Sequence, residues 1–136
     1  MPLIRVDMIK GRSPEAIKAL LDAAHRAALA AFKVPLRDRY QVVHEYEPSH
    51  LIMEDTGLGI TRTRNCVIFE VTTRPHELEA KEDFYKILVR ELETTCGIAP
   101  SDVMVSIVTN TDEDWSFGYG RAQYLTGELA SGRRAA

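Results

Sequence analysis

Cysteine is nearly absent: the 136 residues hold only Cys66 and Cys96. One lies in a strand-like run and the other at a helix end, which reads as two buried free thiols rather than a disulfide framework or a metal site. Histidine is sparse too. His25, His44 and His50 show no ligand spacing, so no metal is expected. Basic clustering is missing: 17 lysines and arginines are scattered among 20 acidic residues, for a net charge of −3. That pattern excludes a nucleic-acid footprint. No apolar run approaches the ~20 residues of a membrane span, and no secretory h-region follows Met1. The expected address is therefore cytoplasmic. What remains, 45% hydrophobic and 27% charged, is the profile of one ordinary globular domain with one core.

The chain is rich in repetition. Glu79, Ala80, Phe84, Leu88, Leu92, Ile98 and Asp102 stand 64 positions after Glu15, Ala16, Leu20, Ala24, Ala28, Val34 and Asp38. Each half reads strand, helix, turn, strand, giving βαβ repeats at 2–65 and 66–129 and a frayed tail at 130–136. In the first half, residues 3–8 are strand-like. Ser13 is an N-cap with Pro14 at the first helical position, and Ile17, Leu20, Leu21, Ala24, Ala28 and Ala31 form an apolar stripe. Residues 39–46 form the next strand. In the second half a β-branched run covers 66–72, a helix runs from about 77 to 96, Gly97 follows as its C′ residue, and 103–108 is the last strand. A helical crossover implies parallel strands and a right-handed connection. The fold class is thus α+β (α/β), a duplicated βαβ with a four-stranded sheet and two helices on one face. Because Val67, Ile68, Phe69 and Val71 run almost unbroken, both sheet faces read as apolar, and the uncovered one calls for another subunit. Residues 54–64 read as a glycine-punctuated loop or hairpin.

Pro2 opens the first strand. Methionine aminopeptidase removes Met1 before a small residue, so the mature chain would begin with a prolyl secondary amine. An α-amino group titrates near ~7.7–8.0, which suits it to act as base, acid, cation or iminium-forming nucleophile. Taken alone, such a start is commonplace. Arg74-Pro75-His76 lies between a strand and a helix. The residue before proline is held extended, so Arg74 and His76 can face one target, a carboxylate suited to arginine's planar fork. A solvated pair fits the same residues equally well. Asp38 reads either as a turn residue paired with Arg37 or Arg39, or as a base or orienting anion beside Pro2. Trp115, Phe117, Tyr119 and Tyr124 make the C-terminal segment too aromatic for a plain disordered end.

Taken together, Pro2 and the duplicated βαβ resemble the tautomerase superfamily. The details are most similar to the malonate semialdehyde decarboxylase family. They are Leu20-Leu21-Asp22-Ala23-Ala24, Asp38-Arg39-Tyr40-Gln41, Glu54-Asp55-Thr56-Gly57-Leu58-Gly59, Arg74-Pro75, Phe84-Tyr85-Lys86, Cys96-Gly97-Ile98, and Asp114-Trp115-Ser116-Phe117-Gly118 through Leu125-Thr126-Gly127. The resemblance implies a homotrimer that needs no cofactor. In such an enzyme Pro2, Asp38 and Arg74 are catalytic, Arg74 and the residue two further on hold the substrate carboxylate, and Trp115 and Phe117 wall the pocket. That second position is arginine in the family and His76 here, so a protonated histidine would have to supply the donor. The implied activity is release of acetaldehyde and CO2 from malonate semialdehyde, with hydratase activity on the side. The alternatives are a tautomerase or hydratase of another 2-oxo acid and, further off, a cytokine-like interaction protein.

Overall fold

The computed structural model describes residues 2–129; Met1 and the tail read as frayed, 130–136, lie outside the described residues. β1 (Leu3–Ile9), α1 (Pro14–Phe32) and β2 (Tyr40–Tyr46) form the first unit. β3 (Val67–Thr73), α2 (Leu78–Cys96) and β4 (Val103–Thr109) form the second, and a short α3 (Gln123–Thr126) follows. The sheet order is β2-β1-β3-β4. β1 runs parallel to β2 and β3 parallel to β4, as helical crossovers require, while β1 and β3 meet antiparallel and join the two units.

The helix boundaries follow local chemistry. The Ser13 hydroxyl accepts the Ala16 amide at 3.1 Å, and Pro14 occupies the first turn, where its missing N–H costs nothing. α2 begins at Leu78, without a side-chain cap, and ends on Gly97 at φ +66°, whose N–H reaches the Glu93 carbonyl. That left-handed conformation favours glycine. Alternation along the strands sends Ile4, Val6 and Met8 and also Val67, Phe69 and Val71 toward the helices, where all are buried against Leu20, Phe84, Leu88 and Leu92. The alanines of α1 (Ala23, Ala24, Ala27 and Ala28) are buried as well. Their small side chains permit a close approach of the two helices.

The opposite sheet face is not uniformly apolar. Tyr40, Val42, Met104 and Val108 stand exposed there, but Arg5 and Glu70 interrupt them. The segment after β2 is a loop rather than a hairpin. The Asp55 carboxylate collects the amides of Gly57, Gly59 and Ile60, which ties the turn to itself, and Arg62 donates to the Ser101 carbonyl at 2.6 Å. Cys66 and Cys96 are free; Cys66 is buried and Cys96 only half-buried. Among the described residues no helix is long and apolar enough to cross a membrane.

Candidate active site

Strand register gathers the sequence-derived candidates at one end of the sheet. Leu3 pairs with Tyr40 on one side and Thr72 on the other. Pro2, buried immediately before β1, therefore shares that end with Asp38, two residues before Tyr40, and Arg74, two residues after Thr72. β4 finishes there too, since Thr73 pairs with Thr109 and the Asn110 amide donates to the Thr73 carbonyl at 2.9 Å. The chain then turns back. The Asp114 carboxylate accepts the Thr111 amide at 2.8 Å and the Thr111 hydroxyl at 3.0 Å, a capping box that presents the buried Asp112 to the site.

Arg74 is seated from two directions. Its Nη1 donates to Asp112 Oδ1 at 2.9 Å, and its Cζ lies 3.9 Å from the centre of the Tyr124 ring. Among the described residues no acceptor takes Nε or Nη2. That edge retains the parallel pair of donors that binds a carboxylate bidentately. Around the cation stands an aromatic wall. Trp115 stacks on Phe117 at 5.5 Å, Phe117 on Tyr40 at 5.6 Å, and Tyr124 meets Phe117 edge-on at 5.6 Å. Polar anchors fix the wall: Trp115 Nε1 donates to Asn110 Oδ1 at 2.7 Å, and Gln123 accepts the Phe117 amide while donating to the Gly118 carbonyl. Burial pushes the Tyr124 hydroxyl up to about 12; Arg74 opposes that shift, and Asp38, Asp112 and Tyr40 add to it.

His76 behaves differently from the expectation of a protonated carboxylate donor. Its ring stacks on Phe32 at 4.3 Å, and its Nε2 shares a 3.1 Å hydrogen bond with Thr73 Oγ1. Burial first, then nearby positive charge including Arg74 and Lys81, holds it down at about 4. The ring is therefore neutral near pH 7, and it shares no partner with Arg74. Asp38 is half-buried, with its amide bonded to the Pro35 carbonyl at 3.0 Å. Arg39 does not pair with it, because Arg39 reaches Asp22 at 2.7 Å and Gln41 at 2.8 Å. His25, without a catalytic partner in the sequence, fixes the turn that carries Asp38 by donating Nε2–H to the Leu36 carbonyl at 2.9 Å. The equivalent of Asp38 in the second repeat, Asp102, is a buried acceptor for the Thr63 amide and hydroxyl. Sequence reasoning missed Asp112 and the specific place of Tyr124. The first carried only the Thr111-x-x-Asp114 spacing as a signal, the second only membership of an aromatic segment.

A duplicated βαβ with a buried proline just before β1, at the sheet end that also carries Arg74 and Asp38, is the arrangement of a tautomerase-type protein. Two family models, each described as a tautomerase enzyme, match residues 38–118 and 2–60, and the chain belongs to that family. It is 53% identical to the probable tautomerase YrdN of Bacillus subtilis strain 168 over 95% of this chain and all of that protein. A crystal structure of malonate semialdehyde decarboxylase superposes with a TM-score of 0.93 at 50% identity, covering 94% of this chain and 99% of that one. A malonate semialdehyde decarboxylase inhibited by 3-bromopropiolate gives 0.90 at 42% identity, over 94% and 98%. The chain is thus a tautomerase-superfamily protein of the malonate semialdehyde decarboxylase type.

Proposed function

We propose that the protein is a cofactor-independent decarboxylase that converts malonate semialdehyde to acetaldehyde and CO2, with hydratase activity as a side reaction. The observation that carries this reading is the meeting of Pro2, Asp38 and Arg74 at one sheet end, in a chain half identical to a decarboxylase of that substrate. Arg74 binds the substrate carboxylate through its open Nε/Nη2 edge and aligns the scissile bond with the carbonyl π-system. Pro2, as a cationic secondary amine, hydrogen-bonds the aldehyde oxygen or condenses with it to an iminium. As the bond to CO2 breaks, its electron pair flows toward that oxygen or nitrogen. The resulting enol or enamine carbon takes a proton, and water releases acetaldehyde from an iminium. Asp38 orients the amine or activates water. Trp115 and Phe117 keep the local dielectric low, which strengthens the polarisation.

The test is acetaldehyde and CO2 release from malonate semialdehyde, set against enol–keto conversion of phenylenolpyruvate. The expected result is turnover of the first substrate that falls by at least about a hundredfold in Pro2→Ala, with intact mass showing loss of Met1. Active protein that keeps Met1 would overturn the role of the proline. A tautomerase acting on another 2-oxo acid is the second reading, favoured by the neutral His76 at the position of the family's second arginine. Efficient conversion of phenylenolpyruvate without decarboxylation would establish it. We also propose a homotrimer, supported by the exposed apolar residues on the open sheet face. The partner of the site is a small carboxylate.

A further inference from the structure

Asp38 ends a turn that its counterpart in the second repeat also makes. The Asp38 amide bonds to the Pro35 carbonyl at 3.0 Å, and 64 residues on the Asp102 amide bonds to the Ala99 carbonyl at 2.9 Å. One bond later the two turns part. In the second repeat the Pro100 carbonyl takes the Val103 amide and closes a short 3-10 helix. In the first, the matching Leu36 carbonyl takes no backbone amide among the described residues; it accepts a hydrogen bond from His25 Nε2 at 2.9 Å instead. A carbonyl only accepts, so that nitrogen carries the proton.

The histidine belongs to the repeat whose aspartate lies at the site. Val89 takes its place in the second repeat, where Asp102 is occupied by the Thr63 amide and hydroxyl. His25 is only 7% exposed and lies among the buried alanines of α1, where burying a polar ring costs desolvation that valine would not. One turn earlier on the same helix, the Asp22 carboxylate accepts Arg39 Nη2 at 2.7 Å. α1 thus grips the chain on both sides of Asp38, through a carbonyl two residues before it and a guanidinium one residue after it.

We propose that His25 is a positioning residue whose bond to Leu36 holds the Asp38 carboxylate toward the Pro2 amine. This deepens the proposed function and rests on its pairing of Asp38 with Pro2. Without the imidazole donor, the Leu36 carbonyl is free to take the Arg39 amide. The turn then closes as the second repeat closes its own, and Asp38 is re-aimed.

The experiment is a double-mutant cycle of His25→Leu and Asp38→Asn in the full chain, with His25→Gln as the rescue. Glutamine carries an amide N–H about as far from the backbone as imidazole Nε2. The first readout needs no turnover: it is the titration midpoint of the Pro2 amine, followed by NMR of the labelled proline nitrogen. A carboxylate beside the amine favours its cation, and Arg74 and Asp112, at the same sheet end, are common to every variant. Asp38→Asn should lower the midpoint by about one unit, His25→Leu by about half a unit, and the double variant no further than Asp38→Asn. His25→Gln should match wild type. With malonate semialdehyde, His25→Leu should lower kcat about tenfold with KM within about twofold, and cost less than about twofold in the Asp38→Asn background. A merely structural histidine would lower kcat equally in both backgrounds, and that additivity would overturn the proposal. So would a midpoint that His25→Leu leaves unmoved, or a retained Met1, which leaves no prolyl amine to face. Should leucine prevent folding, His25→Phe keeps a ring without the donor; if neither folds, the histidine is structural and the proposal falls. Malonate semialdehyde left unconverted, with the midpoint still shifted through Asp38, would remove the decarboxylase reading and leave the role of His25 standing.

Discussion

At the residue scale the sharpest contrast is between Arg74 and His76, two positions apart and in different environments. Arg74 is held by Asp112 and Tyr124, with no acceptor on its Nε/Nη2 edge among the described residues, whereas His76 is folded onto Phe32 and kept neutral by burial. The histidine makes stability depend on pH. Its folded pKa, about 4, lies below the ordinary ~6.5. The folded state therefore binds fewer protons than the unfolded chain between those values, and stability contributed by the neutral ring is full above ~6.5 and lost as pH falls toward 4. Replacing His76 by Gln removes that proton uptake. Wild type should then lose more Tm than His76→Gln between pH 7 and pH 4.5, by on the order of a few degrees, in thermal unfolding followed by circular dichroism. Equal losses in the two proteins would show that the ring is solvated. The sequence made Pro2, Asp38 and Arg74 legible because each is tied to a strand end, and strand ends follow from the pattern. The environment of His76 was not legible. It depends on Phe32 at the far end of α1, a neighbour that only the packing of the two helices brings within reach.

At the element scale the strands and main helices fall within a residue or so of their sequence-derived bounds. Period-two alternation, the Ser13 cap and the Gly97 stop are local signals, and local signals survive translation from sequence to fold. The segment beyond β4 is another matter. Its aromatic residues announced packing, but their partners are set by the Thr111–Asp114 turn and by the bonds of Gln123, and no periodicity encodes those. That segment supplies Asp112, Trp115, Phe117 and Tyr124, so the side chains that seat Arg74 and the rings stacked beside it are the ones hardest to read in sequence. Its anchoring is testable through the chain's single tryptophan. Trp115 is half-buried and donates to Asn110 at 2.7 Å. Asn110→Ala should free the indole, shifting its emission to longer wavelength and raising KM for the acid substrate, while far-UV circular dichroism stays unchanged. An unshifted spectrum would mean that stacking on Phe117 alone holds the ring.

At the scale of the whole molecule the unpartnered sheet face governs. One face is sealed by α1 and α2, and its strand residues Val6, Met8, Val67, Phe69 and Val71 have no exposure at all. On the other, Val42 is 36% exposed, Met104 43% and Val108 47%. These apolar side chains lie among charged ones: Arg5 on β1, Glu70 on β3, and an Asp7–Tyr46 hydrogen bond of 2.9 Å that gives the face a polar side. A surface of this mixture, with apolar positions set among charged and polar ones, is the composition of an interface that is specific as well as adhesive. Closed rotational symmetry covers such faces without leaving a fresh edge for further growth, which is why the proposed trimer satisfies the open face where an open-ended chain of subunits would not. Sedimentation at micromolar concentration should therefore give about three times the 15.3 kDa chain mass. Met104→Glu places a charge among the apolar positions of that face and should shift the distribution toward monomer. It should also make the melting temperature of the variant rise with protein concentration, as mass action requires of a weakened oligomer. Because Met104 is exposed within a single subunit, the substitution disturbs no residue of the intrasubunit core. A wild-type monomer would leave the face without a partner of its own kind, and a fully trimeric Met104→Glu protein would move the contact elsewhere on the sheet.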